Sequence, residues 1–168
     1  MEKILLSFFH KLTSRDGLAS GCEVSCKPLL LSNLGHFAQP YIYIYIYIDS
    51  QNSGQNCIGI ERLLVHKSQY DELYTIFTER VSKLRFGSVL APSDEGFVST
   101  VDCGAMISSQ RFKDLENIIS DAEQSGAEVE VGGRRWRHPY LDRGAYFDGT
   151  VVGDATPEMA IAHTERTW

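Results

Sequence analysis

The stretch LLVHKSQYDELYTIFTERVSKL, residues 63–84, decides the fold class. Leu63, Leu64 and Val65 form a short apolar run of the kind a buried strand makes. Ser68 follows with Asp71 three residues on, the spacing of a helix cap that satisfies free backbone N–H groups. Tyr70, Leu73, Tyr74, Phe77, Val81 and Leu84 then recur at helical spacing. The same alternation returns downstream. Ser108 or Ser109 is expected to cap a helix whose apolar face is Phe112, Leu115, Ile118, Ile119 and Ala122, with Gly126 placed to end it. Val129 and Val131 suggest a strand closed by Gly132 and Gly133, and Tyr146 to Val152 suggests another after the Gly144 turn. Pro157 opens a short helical stretch, Glu158 to Ala162. Strands alternating with helices predict an α/β layer, a mostly parallel sheet with flanking helices.

Upstream, residues 1–51 change character every few positions and hold no sustained period. Tyr41 to Ile48 is four Tyr-Ile pairs in a row, so both strand faces would be apolar or aromatic, an aggregation hazard. A TA dinucleotide repeat read as TAT and ATA encodes the same run. The expectation is an irregular N-terminal segment, residues 1–51, unassigned and either disordered or translated from non-coding sequence, followed by one ordered unit over 52–168.

The bulk numbers exclude little: 168 residues, 43% hydrophobic and 23% charged, suit one domain with a core. The formal charge of -6 falls on the later part of the chain, because Lys3, Lys11, Arg15 and Lys27 balance Glu2, Asp16, Glu23 and Asp49. An acidic body argues against a general nucleic-acid binder. Cys22, Cys26, Cys57 and Cys103 show no paired framework, and no second pair or His couple completes a zinc site, so no metal is expected. Reduced thiols suit an intracellular protein, cytoplasmic by default. The apolar run Ile4 to Phe9 is too short to span a bilayer and has no cleavage site after it.

Ser53-Gly54-Gln55-Asn56-Cys57-Ile58-Gly59 is the chemically suggestive segment. Small residues and amides around a cysteine leave backbone free to approach a substrate. A thiolate becomes accessible when backbone N–H groups or a helix N-terminus point at the sulfur. Taken by itself, a lone cysteine is more often a small buried hydrophobe; Cys103 fits that description. No His lies near Cys57 in sequence, and Glu61 would disfavour a thiolate if a helix brought it alongside.

That segment, with Arg62 five residues past the cysteine, resembles the nucleophile motif of the aldehyde dehydrogenase superfamily, written G-Q-x-C. Four later segments match in order. Gly104-Ala105-Met106-Ile107-Ser108 resembles the family's Gly-Pro-Met/Leu-Ile/Val, with Ala105 in the proline's place. Ala122 to Gly133 resembles the helix-to-strand passage ending in a double glycine. Tyr146-Phe147-Asp148-Gly149-Thr150-Val151 resembles Tyr-Phe-x-Pro-Thr-Val, with Gly149 replacing proline. Met159 to Glu165 resembles the approach to the Glu-x-Phe-Gly-Pro motif. The wording around Cys57 is similar to a divergent fungal and plant branch, some members of which are membrane-anchored.

The resemblance implies a partial catalytic domain of the aldehyde dehydrogenase fold and an NAD or NADP cofactor. It implies that Cys57 attacks the aldehyde carbonyl to give a thiohemiacetal, then a thioester that water releases as the acid. The backbone N–H of Cys57 would help hold the oxyanion, and Glu165 would bind the cofactor ribose. The family's dinucleotide-binding domain, second oxyanion donor and water-activating glutamate lie upstream of the cysteine, and residues 1–51 contain no counterpart, nor a glycine-rich phosphate turn. The chain alone is therefore expected to be poorly soluble and inactive, while full-length members are expected to be homo-oligomers. Three other readings are open: a non-catalytic fragment that pairs with a full-length homologue through a sheet edge, a nucleic-acid module using Arg134, Arg135, Trp136, Arg137 and His138, and a thiol hydrolase built on Cys57.

Overall fold

The computed structural model describes residues 2–8, 29–31, 51–55, 62–88, 101–138, 141 and 143–164. The strands are β1 (Glu2–Phe8), β2 (Leu29–Leu31), β3 (Arg62–His66), β4 (Glu128–Val131) and β5 (Thr150–Ala155). The helices are α1 (Lys67–Ser82), α2 (Phe112–Gln124) and the single turn α3 (Ala160–His163), and a 3-10 turn covers Gln51–Gly54. One sheet in the order β2-β3-β1-β5-β4 carries them.

The two faces of β5 explain the layered core. Val151 and Val152 are consecutive, point to opposite sides of the sheet and are both 0% exposed, so each face is covered. On one side Val151 packs with Leu63, Val65, Tyr70, Leu73, Phe77, Val81 and Cys103. On the other, Val152 and Ala155 meet Phe112, Leu115, Ile118, Ile119, Ala122 and Phe147. The helical stripes expected over 70–81 and 112–122 are thus the buried faces of α1 and α2, and Cys103 is buried.

The expectation of a mostly parallel sheet is corrected. Among the pairings of the described strands only β2 with β3 is parallel; β1 runs antiparallel to both β3 and β5, and β4 antiparallel to β5. Two physical reasons account for this. First, β3 and β5 run the same way, as the alternation of strands and helices suggests, but β1 lies between them and opposes both. Second, β4 and β5 are joined by a glycine-rich excursion rather than a crossover helix, and a hairpin connection enforces antiparallel pairing. The excursion is itself laddered by an Arg135–Phe147 bridge, Trp136 N–H to Tyr146 O (3.2 Å) and Asp148 N–H to Arg134 O (3.0 Å).

The irregular character expected throughout residues 1–51 is corrected at two places, since β1 and β2 belong to the sheet. Their pairing partners lie tens of residues downstream, and a local period carries no trace of such contacts. The Tyr41 to Ile48 run lies outside the described residues.

Helix starts also differ from expectation. His66 caps α1, its Nδ1 accepting the Ser68 N–H at 3.3 Å, so Ser68 sits inside the helix. At α2 the cap position is Arg111, whose side chain makes no capping hydrogen bond, while Ser108 Oγ accepts from Gln110 N–H at 3.1 Å. Past the helix, Gly126 takes φ +99° as expected of a helix terminator. At the double glycine, Gly132 has φ +82°, and a Cβ there would collide with the Gly149 carbonyl; only glycine lets this turn pass so close to the start of β5.

Candidate active site

Cys57 and Glu165, the two residues the motifs single out, lie outside the described residues. The nearest described residues are 51–55 and Arg62 on the two sides of Cys57, and Thr164 before Glu165, and these give the surroundings of the site.

On the N-terminal side of Cys57, Asn52 (φ 53°), Ser53 (φ 56°) and Gly54 (φ 75°) form a left-handed turn. Such a conformation costs an L-residue roughly 1–2 kcal/mol, so the surroundings must hold it. They do so with four hydrogen bonds. Asn52 Nδ2 donates to Gln55 O (3.0 Å) and Gln55 N–H to Asn52 O (3.1 Å), closing the turn. Ser53, 8% exposed, donates from Oγ to Gly104 O at 2.9 Å. Gln55 Oε1 accepts the Ile107 N–H at 2.9 Å. The nucleophile motif is therefore docked on the 104–107 segment, the next of the motif segments along the chain. Met106 inside that segment is buried and donates its N–H to Ala145 O (2.8 Å), whereas Ile107 is 81% exposed.

On the other side of Cys57, Arg62 opens β3 and reaches across the fold: its Nη1 donates to the Ala162 carbonyl at 2.7 Å. Ala162 lies in the last turn of α3, where carbonyls lack intrahelical partners and a cation is favoured. Glu165 follows three residues later. One side chain thus links the segment after the cysteine to the segment before the glutamate. The motif reading noted Arg62 only as a spacing match; a contact separated by one hundred residues has no local sequence signal.

The basic and aromatic stretch 134–138 lies on the β4–β5 excursion. A groove of about 530 Å³ is lined by Glu116, Arg134, Arg135, Trp136, Arg137 and Asp148. Its charges are largely engaged. Arg134 Nε lies 3.5 Å from Asp148 Oδ2, Arg135 Nη2 donates to Gly144 O at 3.4 Å, and the Arg135 guanidinium stands 5.7 Å from the Phe112 ring centroid. Burial raises the Asp148 carboxyl, and Arg134 works against that shift. The Trp136 ring stacks on His138 (5.4 Å, 9°) and meets Tyr146 edge-on (5.2 Å).

Among the described residues no group of three or more His, Cys, Asp or Glu is placed to hold a metal ion, and no helix is long and apolar enough to cross a membrane. Neither long helix begins with a run of glycines: α1 follows β3 directly at Lys67, and α2 follows Gln110-Arg111. A dinucleotide pyrophosphate, which is seated by such a turn, has no seat there.

Comparison with known proteins adds a family. The aldehyde dehydrogenase family model matches residues 44–166, which begins inside the Tyr-Ile run, earlier than the motif match from Asn52. An aldehyde dehydrogenase-like protein of Saccharomyces cerevisiae is 47% identical over 117 residues, covering 68% of this chain and 17% of its own length. One of Schizosaccharomyces pombe is 43% identical over 115 residues, 68% of this chain and 21% of its own. Among solved structures, 3,6-anhydro-L-galactose dehydrogenase in complex with NAP superposes with a TM-score of 0.69 at 26% identity, over 83% of this chain and 28% of that one. The chain thus spans about a fifth of the length of these curated relatives. Motif order, fold and sequence identity agree, and the chain belongs to the aldehyde dehydrogenase family.

Proposed function

We propose that this chain carries the cysteine segment of an NAD(P)-dependent aldehyde dehydrogenase. Cys57 is the nucleophile: its thiolate adds to the aldehyde carbonyl, and the thiohemiacetal becomes a thioester on loss of hydride and a carboxylic acid on hydrolysis. The backbone N–H of Cys57 stabilises the oxyanion. A nicotinamide cofactor, when bound, would supply the hydride acceptor. Glu165 is this chain's contact with that cofactor, a carboxylate able to accept both ribose hydroxyls; the pyrophosphate is held elsewhere. Relatives support the cofactor class: succinate-semialdehyde dehydrogenases named for NADP(+) are 37% and 38% identical, and a betaine aldehyde dehydrogenase solved with NAD+ superposes with a TM-score of 0.63.

The observation that carries the reading is the Arg62–Ala162 hydrogen bond, which joins the flank of the proposed nucleophile to the flank of the proposed ribose ligand. The 168 residues by themselves do not turn over aldehydes in this reading: among the described residues neither long helix opens on a glycine-rich phosphate turn. The excursion 134–138 is a structural loop rather than a nucleic-acid platform, since the Trp136 face is already stacked on His138 and base stacking needs such a face open. The test is selective alkylation: iodoacetamide at neutral pH is expected to label Cys57 and spare buried Cys103. Aldehyde oxidation by the purified chain with NAD or NADP, lost in Cys57→Ala, would overturn the inactivity part of the proposal. Inert Cys57 would overturn the nucleophile part.

A further inference from the structure

We propose that the groove at the β4–β5 excursion is a binding site for a small organic polyanion, bearing carboxylate or phosphate groups, that is held by Arg134 and Arg137. The groove is bounded by Glu116 on α2, by residues 134–137 on the outgoing arm and by Asp148 on the returning one. Its volume of about 530 Å³ is that of a pocket for a small metabolite. The Trp136 face is covered by His138, so the indole is a wall of the groove and recognition falls to the charges.

Following each charge to its partner leaves two guanidiniums for a ligand. Arg135 is committed to the Gly144 carbonyl and the Phe112 ring. Glu116 is turned to the backbone, its Oε1 accepting the Arg135 N–H at 3.3 Å. Arg134 holds Asp148 loosely: Nε and Oδ2 are 3.5 Å apart and the arginine side chain is 82% exposed. Burial raises the Asp148 carboxyl in spite of that arginine. Arg137 is exposed, and among the described residues it has no ion pair. An ion pair so open to water contributes little, whereas a carboxylate or phosphate can take a guanidinium fork through two parallel hydrogen bonds. The incoming anion therefore replaces Asp148 as the partner of Arg134, and the Asp148 carboxylate is its competitor.

The experiment uses the 168-residue chain carrying Trp168→Phe, which leaves Trp136 as its one tryptophan and its fluorescence as a report on the groove wall. The probes are pyrophosphate and citrate, each compared with sodium chloride at equal ionic strength. A saturable change with at least one probe is expected at or below about 1 mM, and chloride should not reproduce it. Affinity is expected to fall about fivefold in Arg137→Gln and in Arg134→Gln, and to rise about fivefold in Asp148→Asn, which removes the competing carboxylate. A gain in affinity cannot come from misfolding, so the Asp148 variant keeps the test sound if an arginine variant folds poorly. A response to pyrophosphate alone makes the ligand a phosphate compound, to citrate alone a carboxylate, and to both an anion read by charge. A response that chloride matches, an affinity untouched by Arg137→Gln, or one that Asp148→Asn fails to raise overturns the site. None of these outcomes bears on Cys57.

Discussion

The hydroxyl of Tyr70 accepts the backbone N–H of Asp154 at 2.6 Å, tying α1 to β5 across 84 residues. Asp154 adopts φ 52°, and Tyr70 is 3% exposed. Tyr74 stacks on Tyr70 with ring centroids 5.8 Å apart, yet its own buried hydroxyl has no hydrogen-bond partner. Neighbouring phenols on one helix face should therefore respond oppositely to loss of oxygen. Tyr70→Phe is expected to cost about 1–2 kcal/mol, because it removes the acceptor of a partly buried N–H, while Tyr74→Phe is expected to be neutral or stabilising by up to about 1 kcal/mol. Urea unfolding of the two variants measures both; equal losses would contradict the assignment.

The same pair predicts an alkaline limb. Burial, reinforced by Glu128, Glu130 and Asp154, raises Tyr74 from the ordinary 10.0 up to about 12, and burial pushes Tyr70 up further still. The folded state thus holds these protons more tightly than the unfolded chain. Their contribution is complete below pH 10 and is lost as pH rises from there through the folded values. The denaturation midpoint should fall between about pH 10 and 12, and more gently in Tyr74→Phe. A midpoint flat to pH 12 in both proteins would refute the burial of the phenols.

Two glycines of the family motifs should prove unequal in folding. Gly132 has positive φ and its missing Cβ faces the Gly149 carbonyl, whereas a Cβ on Gly104 would meet nothing within 4 Å. Gly132→Ala is expected to cost about 2–4 kcal/mol from backbone strain and the steric collision together. Gly104→Ala should change thermal stability by less than about 0.5 kcal/mol. A Gly104→Ala variant as unstable as Gly132→Ala would show that the 104–107 segment packs more tightly than described.

What was legible in the residues follows from the range of the interactions. The stripe Tyr70, Leu73, Phe77, Val81 and the stripe Phe112 to Ala122 announced two helices and their buried faces, because helical periodicity is local. The double glycine announced a turn for the same reason. Strand direction was not legible: nothing in Ile4 to Phe8 states that the segment pairs between Leu64 and Val152. Nor was the hydrogen bond from Arg62 to the Ala162 carbonyl, since the two residues are one hundred positions apart. His66 displaced Ser68 as the cap of α1 because its ring nitrogen also serves as an acceptor, an option the usual capping pattern leaves out. The site was readable as a list of motifs, while the contacts joining them were not.

The left-handed turn before Cys57 offers a test that separates strain from bonding. Ser53 sits at φ 56°, ψ 39°, a conformation that glycine adopts freely and other residues adopt at roughly 1–2 kcal/mol. Its Oγ meanwhile donates to Gly104 O at 2.9 Å, worth about 1 kcal/mol. Ser53→Gly loses the bond and relieves the strain, so it should be close to neutral. Ser53→Ala loses the bond and keeps the strain, so it should be less stable than Ser53→Gly by about 1 kcal/mol or more. Denaturant midpoints of the two variants decide the matter. If alanine equals or exceeds glycine in stability at this position, the turn that presents the cysteine segment is not left-handed in solution, and the docking of Ser53 on Gly104 falls with it.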